Sequence, residues 1–357
     1  MKGLDLCRRY FFECVKPIIE EKYSLIKDYY SCALIGWGSD VLGNDDEYSR
    51  DHEWGPRLLI FVDEEHKYAI SKLETILNEH IPVDFLGYGT RFAFDDDGIR
   101  IPLYTNEGVI NIDFYIYDEY IENFLGVVAP ESDLDWLCVP ENKLLEITSG
   151  EIFYDANDTL QEKLQVYKNY YPLNVWKYRI AYLWESISWD IDTIGLSRKR
   201  GNSISEKMAI YKTVFPLIKL ISAYNRKYSP SYCKHIGTEF YKLPHVSDKT
   251  GFLLEECLKT DDVLTVKSNL EKTIEIIIKF HNSYSELPDI CLEKSKPIYG
   301  RGFWDIDCQK IAGTIHESIH GELKEVPLHG AADQFVTNED FLVFPELLKK
   351  LNNIYKI

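Results

Sequence analysis

The chain has 357 residues, 45% hydrophobic and 27% charged, with a formal net charge of −18. Acidic residues outnumber basic ones 58 to 40, which argues against an extended nucleic-acid footprint, since each neutralised phosphate needs a Lys or Arg. No apolar run reaches 18 residues, the N-terminus starts no signal peptide and the eight cysteines form no CxxC pair, so we expect a cytoplasmic protein, off the membrane, with reduced thiols.

Leu6, Tyr10, Phe11, Val15, Ile18 and Ile19 recur at helical spacing, and residues 5–28 predict one amphipathic helix. Cys32-Ala33-Leu34-Ile35 then reads as a buried strand that stops at Gly36 and Gly38. Ser39 follows, and a glycine-serine turn offers backbone N–H groups and a hydroxyl to phosphate, because nothing at Cα blocks close approach. Further along, Asp51-x-Glu53 leads into a second apolar run, Leu58–Val62. In an extended segment residues i and i+2 point the same way, so Asp51 and Glu53 can share a divalent cation. These parts together point to metal-assisted chemistry on a nucleotide.

Residues 64–78 carry Ile70, Leu73 and Ile76 on one helical face, and residues 83–104 predict a hairpin closed by the Asp95-Asp96-Asp97-Gly98 turn. Residues 109–117 predict one strand, with Asn111, Asp113 and Tyr115 on one face and Ile110, Ile112, Phe114 and Ile116 on the other. An acid in mid-strand is costly unless it faces a site or a partner, which makes Asp113 a candidate third carboxylate; a solvated position on an open sheet face is the alternative. Beyond residue 155 strand signals stop, and helical patterns cover 158–170, 173–197, 203–227, 250–259, 262–284, 305–323 and 345–355. The reading is α+β: a first domain of mixed sheet and helices over residues 1–153, then an all-helical domain over 154–357.

Gly38-Ser39, Asp51-x-Glu53 and a lone acid on a later strand resemble the DNA polymerase β-like nucleotidyltransferase superfamily. A closer resemblance, to an uncharacterised bacterial family within it, runs through Gly38–Gly43, Arg50–Arg57, Pro140–Glu146, Tyr228–Tyr232 and Gly330–Phe335. It implies a polymerase-β-like catalytic domain and a helical substrate-binding domain. It further implies that Gly38 and Ser39 cradle the β- and γ-phosphates, and that Asp51, Glu53 and Asp113 serve catalysis and hold a pair of magnesium ions, with manganese as a substitute. The implied reaction is in-line attack of an acceptor hydroxyl on the α-phosphate of a nucleoside triphosphate, ATP first, with pyrophosphate leaving. Asp113 would complete the metal site or accept the hydroxyl proton, with Glu185 and Asp190 as other candidate bases. Glu53 stands where this superfamily more often has Asp.

Arg50 and Arg57 flank the acid pair and either contact triphosphate or brace the loop by a salt bridge. Arg198-Lys199-Arg200-Gly201 and Lys207 either reach the triphosphate or complete a helix end, with cations against the macrodipole and a glycine cap. Tyr228, Tyr232, Lys234 and His235 either line an acceptor pocket or pack between helices. His316-Glu317-x-x-His320 fits a zinc motif if it lies on one helix, but the longer extension is missing, and ordinary surface histidines are the alternative. The acceptor expected first is a small molecule, aminoglycoside-like because a net acidic protein attracts polycations. A protein AMP-transferase of toxin or antitoxin type and a nucleotide-binding protein with weak turnover are the rivals.

Overall fold

The computed structural model describes residues 1–50, 53–96, 98–291, 307–336, 338, 347 and 350–355. They form two compact units: Met1–Ala129 with Lys143–Asn169, and Pro130–Asn142 with Tyr170–Ile357. These bounds differ from a single break at 153/154: residues 130–142 group with the second unit and 154–169 with the first.

In the first unit, α1 (Gly3–Tyr10) and α2 (Lys16–Lys22) are joined by a π-helical turn, Phe11–Val15. The single helix expected over 5–28 is therefore interrupted. Pro17 supplies the reason, since it has no N–H to donate and its ring crowds the carbonyl four residues back, widening the turn just upstream. Leu6, Tyr10, Phe11, Val15 and Ile19 are fully buried. Most of this face packs with β1 (Tyr30–Leu34), β2 (Leu58–Val62) and Leu73 and Leu77 of α3 (Ala69–His80). β1 and β2 are buried at every position, so they read as unbroken apolar runs rather than as alternation.

β1 pairs antiparallel with β2 and, on its other side, with β9 (Glu151–Asp155), a strand the sequence reading missed. A short hairpin, β3 (Asp84–Phe85) with β4 (Tyr88–Gly89), precedes a second one, β5 (Arg91–Phe94) with β6 (Arg100–Leu103), so the hairpin expected over 83–104 is two. The strand expected over 109–117 is also divided: β7 (Val109–Ile110) pairs with β5, while β8 (Ile112–Ile116) pairs parallel with β2. The break falls at Asn111, whose carbonyl accepts from Leu58 N–H at 3.0 Å and whose side chain accepts from Arg100. The central sheet therefore runs β8-β2-β1-β9, with Asp113 in register with Leu59. α4 (Tyr117–Leu125) ends at a left-handed Gly126, and α7 (Thr159–Lys168) follows β9.

No strand occurs among the described residues of the second unit. Its α5 (Asp133–Cys138) is followed in the chain by α6 (Glu141–Thr148), of which residues 143–148 group with the first unit. Two long helices dominate, α8 (Leu173–Lys199) and α9 (Ser203–Tyr224), with Trp176, Tyr178, Ile180, Trp184, Ile187 and Ile194 of α8 fully buried. Gly201 turns the chain between them at φ 67°, and the Asn202 side chain accepts from Ser205 N–H at 3.2 Å to cap α9. α10 (Cys233–Tyr241), α11 (Ser247–Lys259), α12 (Val263–His281), α13 (Cys308–Glu317) and α14 (Ala332–Phe335) complete it. The helix expected over 305–323 begins outside the described residues and stops at Glu317, and the one over 345–355 lies partly outside them, with a 3-10 helix at Lys350–Tyr355. Among the described residues no helix is long and apolar enough to cross a membrane.

Candidate functional site

A cavity of about 310 Å³ opens in the first unit where β2, β6 and β8 meet the turn after β1. Glu53, Arg57, Arg100 and Asp113 are its charged lining, and Trp37, Phe94, Tyr115 and Tyr120 its aromatic lining. Parallel pairing of β8 with β2 brings Asp113 here, since Asn111, Asp113 and Tyr115 share the pleat face that lines the cavity.

Asp113 is gripped by a guanidinium fork. Arg100 Nη1 donates to Oδ2 at 2.9 Å and Nη2 to Oδ1 at 2.7 Å, while Nη1 also donates to Asn111 Oδ1 at 2.6 Å. The bond to Asp113 holds the Arg100 charge more firmly than usual, against partial burial. The same residue reaches Glu53, whose backbone N–H donates to the Arg100 carbonyl at 2.9 Å. Glu53 itself lies at φ 51°, in the left-handed region. The extended Asp51-x-Glu53 geometry is therefore not formed at Glu53, and Asp51 lies outside the described residues. Left-handed backbone at a residue other than glycine is held only where surrounding structure imposes it.

A second fork braces the turn. Arg57 Nε donates to Asp40 Oδ2 at 3.0 Å, and Nη2 donates to Asp40 Oδ1 at 2.6 Å and to the Trp37 carbonyl at 2.8 Å. Burial works against the Arg57 charge, and the Asp40 carboxylate more than restores it. Gly38, at φ 126°, is required here, because a Cβ would collide with Asp40 Oδ1 and the Arg57 guanidinium. The glycine thus serves the packing of an ion pair, and neither Gly38 nor Ser39 lines the cavity; their neighbour Trp37 does. The Ser39 carbonyl accepts from Asn44 N–H at 2.7 Å, closing the loop.

None of the other expected residues lines the cavity. Arg50 lies over the Trp54 ring at 4.5 Å and donates to the Met1 carbonyl, away from the cavity lining. Arg198 and Lys207 both hold the loop after α11, Arg198 donating to the Asp261 carbonyl at 3.1 Å and Lys207 to the Thr260 carbonyl at 2.6 Å. Lys199 and Arg200 are exposed at the end of α8. Tyr228 is buried between the Tyr170 and Tyr171 rings. Burial raises Asp190, and Glu185 accepts from Trp189 Nε1 at 3.2 Å. His316 and His320 do not share a helix, since α13 ends between them, and no cluster of three or more metal-binding side chains occurs among the described residues.

Sequence reasoning missed Arg100, Phe94, Asp40 and Lys143. Lys143 is buried, with its Nζ 4.2 Å from the Phe124 ring centre and 5.6 Å from that of Trp37, and burial lowers its pKa. The one available signal was Asp95 with Gly98 just before Arg100: Gly98 N–H donates to the Asp95 carbonyl at 3.0 Å and Asp95 N–H to the Ile99 carbonyl at 3.0 Å, which brings β6 beside β5.

Residues 136–234 match a family described as a domain of unknown function (DUF4037), a stretch that contains none of the cavity-lining residues. Comparison with curated proteins finds no match. Among solved structures the chain is similar to a nucleotidyltransferase-like protein from Exiguobacterium sibiricum 255-15, with 11% identity and a TM-score of 0.33 over 75% of this chain and 77% of that one.

Proposed function

We propose that the cavity holds a nucleoside triphosphate with magnesium, and that the protein moves a nucleoside monophosphate, AMP first, to the hydroxyl of a small-molecule acceptor. One observation carries this: two carboxylates, two guanidinium groups and exposed aromatic faces line a single cavity. Glu53 and Asp113 offer oxygen donors, the class magnesium takes, and with Asp51 they would hold it. Magnesium, when bound, offsets charge on the phosphate oxygens. The chain's own contribution is positioning. The Arg100 guanidinium has the shape to match phosphate oxygens in pairs, Arg57 adds positive charge from its place on Asp40, and Trp37 and Phe94, 62% and 58% exposed, present flat faces to a base. Asp113 would complete the metal site or, in its place there, take the acceptor's proton.

Binding without efficient turnover is the second reading, favoured by the fact that both Asp113 oxygens are engaged by Arg100. Isothermal titration of each nucleoside triphosphate with magnesium, on the native protein and on Asp51→Ala/Glu53→Ala, tests the site. We expect magnesium-dependent binding that the double variant loses; a native protein that binds no triphosphate overturns the proposal. Magnesium-dependent pyrophosphate release separates turnover from binding alone, and radiolabelled transfer to protein bands would redirect the acceptor from small molecule to protein.

A further inference from the structure

We propose that Arg100 is an internal counter-ion on Asp113, that a divalent cation must displace it, and that the displaced guanidinium then takes up a phosphate. The inference rests on the nucleotide reading of the cavity.

The two cavity arginines are held differently. Arg57 is tied to Asp40, a carboxylate only 3% exposed, and to the Trp37 main chain, so it cannot leave without stranding a buried charge. The side-chain partners of Arg100 are Asn111 and Asp113, both of which line the cavity, and its flank is the exposed Phe94 ring at 5.6 Å. Arg100 and Asp113 side chains keep 25% and 31% of their exposure, so water can replace either contact. A cation placed on Asp113 would sit beside the guanidinium, and like charges at that separation repel. One of the two has to go.

The exchange leaves the backbone contact with Glu53 intact. Glu53 is bonded to the Arg100 carbonyl, not to its side chain, so the guanidinium can swing away while β6 keeps Glu53 in place. The two binding events are then linked. A cation alone must break the fork and leaves Arg100 unpaired, whereas a cation arriving with a triphosphate gives Arg100 a new anionic partner.

The test is equilibrium dialysis of Mn2+ against the whole chain, without ATP and with ATP equilibrated on both sides of the membrane, so that only the excess Mn2+ in the protein compartment counts as bound. Native protein should bind Mn2+ weakly alone and more tightly with ATP. Arg100→Ala should bind Mn2+ alone about tenfold more tightly, the scale of one charge-assisted fork, and should lose the ATP enhancement. Arg100→Lys keeps the charge but not the fork, should fall between the two, and carries the test if the alanine variant does not fold. In an Asp113→Asn background the Arg100 substitution should leave the affinity for Mn2+ alone unchanged. Equal Mn2+ affinity in native, Arg100→Ala and Arg100→Lys proteins overturns the exchange and leaves the nucleotide reading standing. No Mn2+ bound by any of them, with or without ATP, overturns the nucleotide reading and the exchange with it.

Discussion

An arginine fork grips an aspartate in each unit, Arg100 on Asp113 in the first and Arg179 on Asp333 in the second, and the contacts are nearly equal in length. Arg179 donates to the two Asp333 oxygens at 2.9 and 2.8 Å. The surroundings are not equal at all. Arg179 and Asp333 side chains are 3% and 0% exposed, and the pair is completed by Glu141, 3.1 Å from Arg179, and by Lys219, 3.2 Å from Glu141 and 3.8 Å from Asp333. Two cations and two anions thus close on one another, with the Tyr171 ring 4.6 Å from the Arg179 guanidinium. A closed buried network is costly to open, because removing one member leaves another charge without water or partner. The Arg100 fork has solvent on one side and a cavity before it. Identical chemistry is a lock in one place and a latch in the other, and burial decides which.

The largest effect that could break this comparison is Asp333→Ala. It should destabilise the protein by about 3–5 kcal/mol in denaturant unfolding, the cost of stranding a buried charge. A loss below about 1 kcal/mol would mean that the network is not closed. Asp113→Asn sharpens the contrast from the other side: affinity for ATP with magnesium should fall by at least about a hundredfold, as expected on losing a direct ligand, while unfolding changes by less than about 1 kcal/mol. Gly38→Ala should cost about 1–3 kcal/mol in thermal unfolding, from left-handed strain and the collision with the Asp40–Arg57 pair; an unchanged melting temperature would show that this turn relaxes freely.

Acid should produce the smallest effect. Burial pushes the Asp333 carboxyl up, but the charge and hydrogen bonds of Arg179 and the charge of Lys219 outweigh it and hold the group below its ordinary value. A carboxyl depressed in the folded state adds stability that is complete above its unfolded value, near pH 4, and is lost as the pH falls through the lower folded value. Stability measured downward from pH 5 should therefore decline, and Asp333→Asn should flatten that decline. An equal decline in the variant would assign the acid sensitivity to other carboxylates.

Much of the fold was legible in the sequence. β1 and β2 showed as apolar runs because both of their faces are covered, and α8, α9, α11 and α12 showed through helical periodicity. Asp113 stood out because an acid inside an apolar strand demands an explanation. The π turn at Phe11–Val15 was also signalled, by Pro17, and was passed over because the apolar period continues through it.

By itself the sequence determined what local physics records: strand and helix periods, the glycine turn, and the net acidic charge. Tertiary structure alone decided the partners. Arg57 finds Asp40 across 17 positions, Arg100 finds Asp113 across 13, and Arg179 finds Asp333 across 154. No local period encodes such meetings, since they depend on β8 lying parallel to β2, on β6 folding back onto β5, and on how α8 packs among its neighbours. The same dependence has Gly38 clear room for the Asp40–Arg57 ion pair, and it placed Arg100 on the carboxylate that the sequence had offered to a metal.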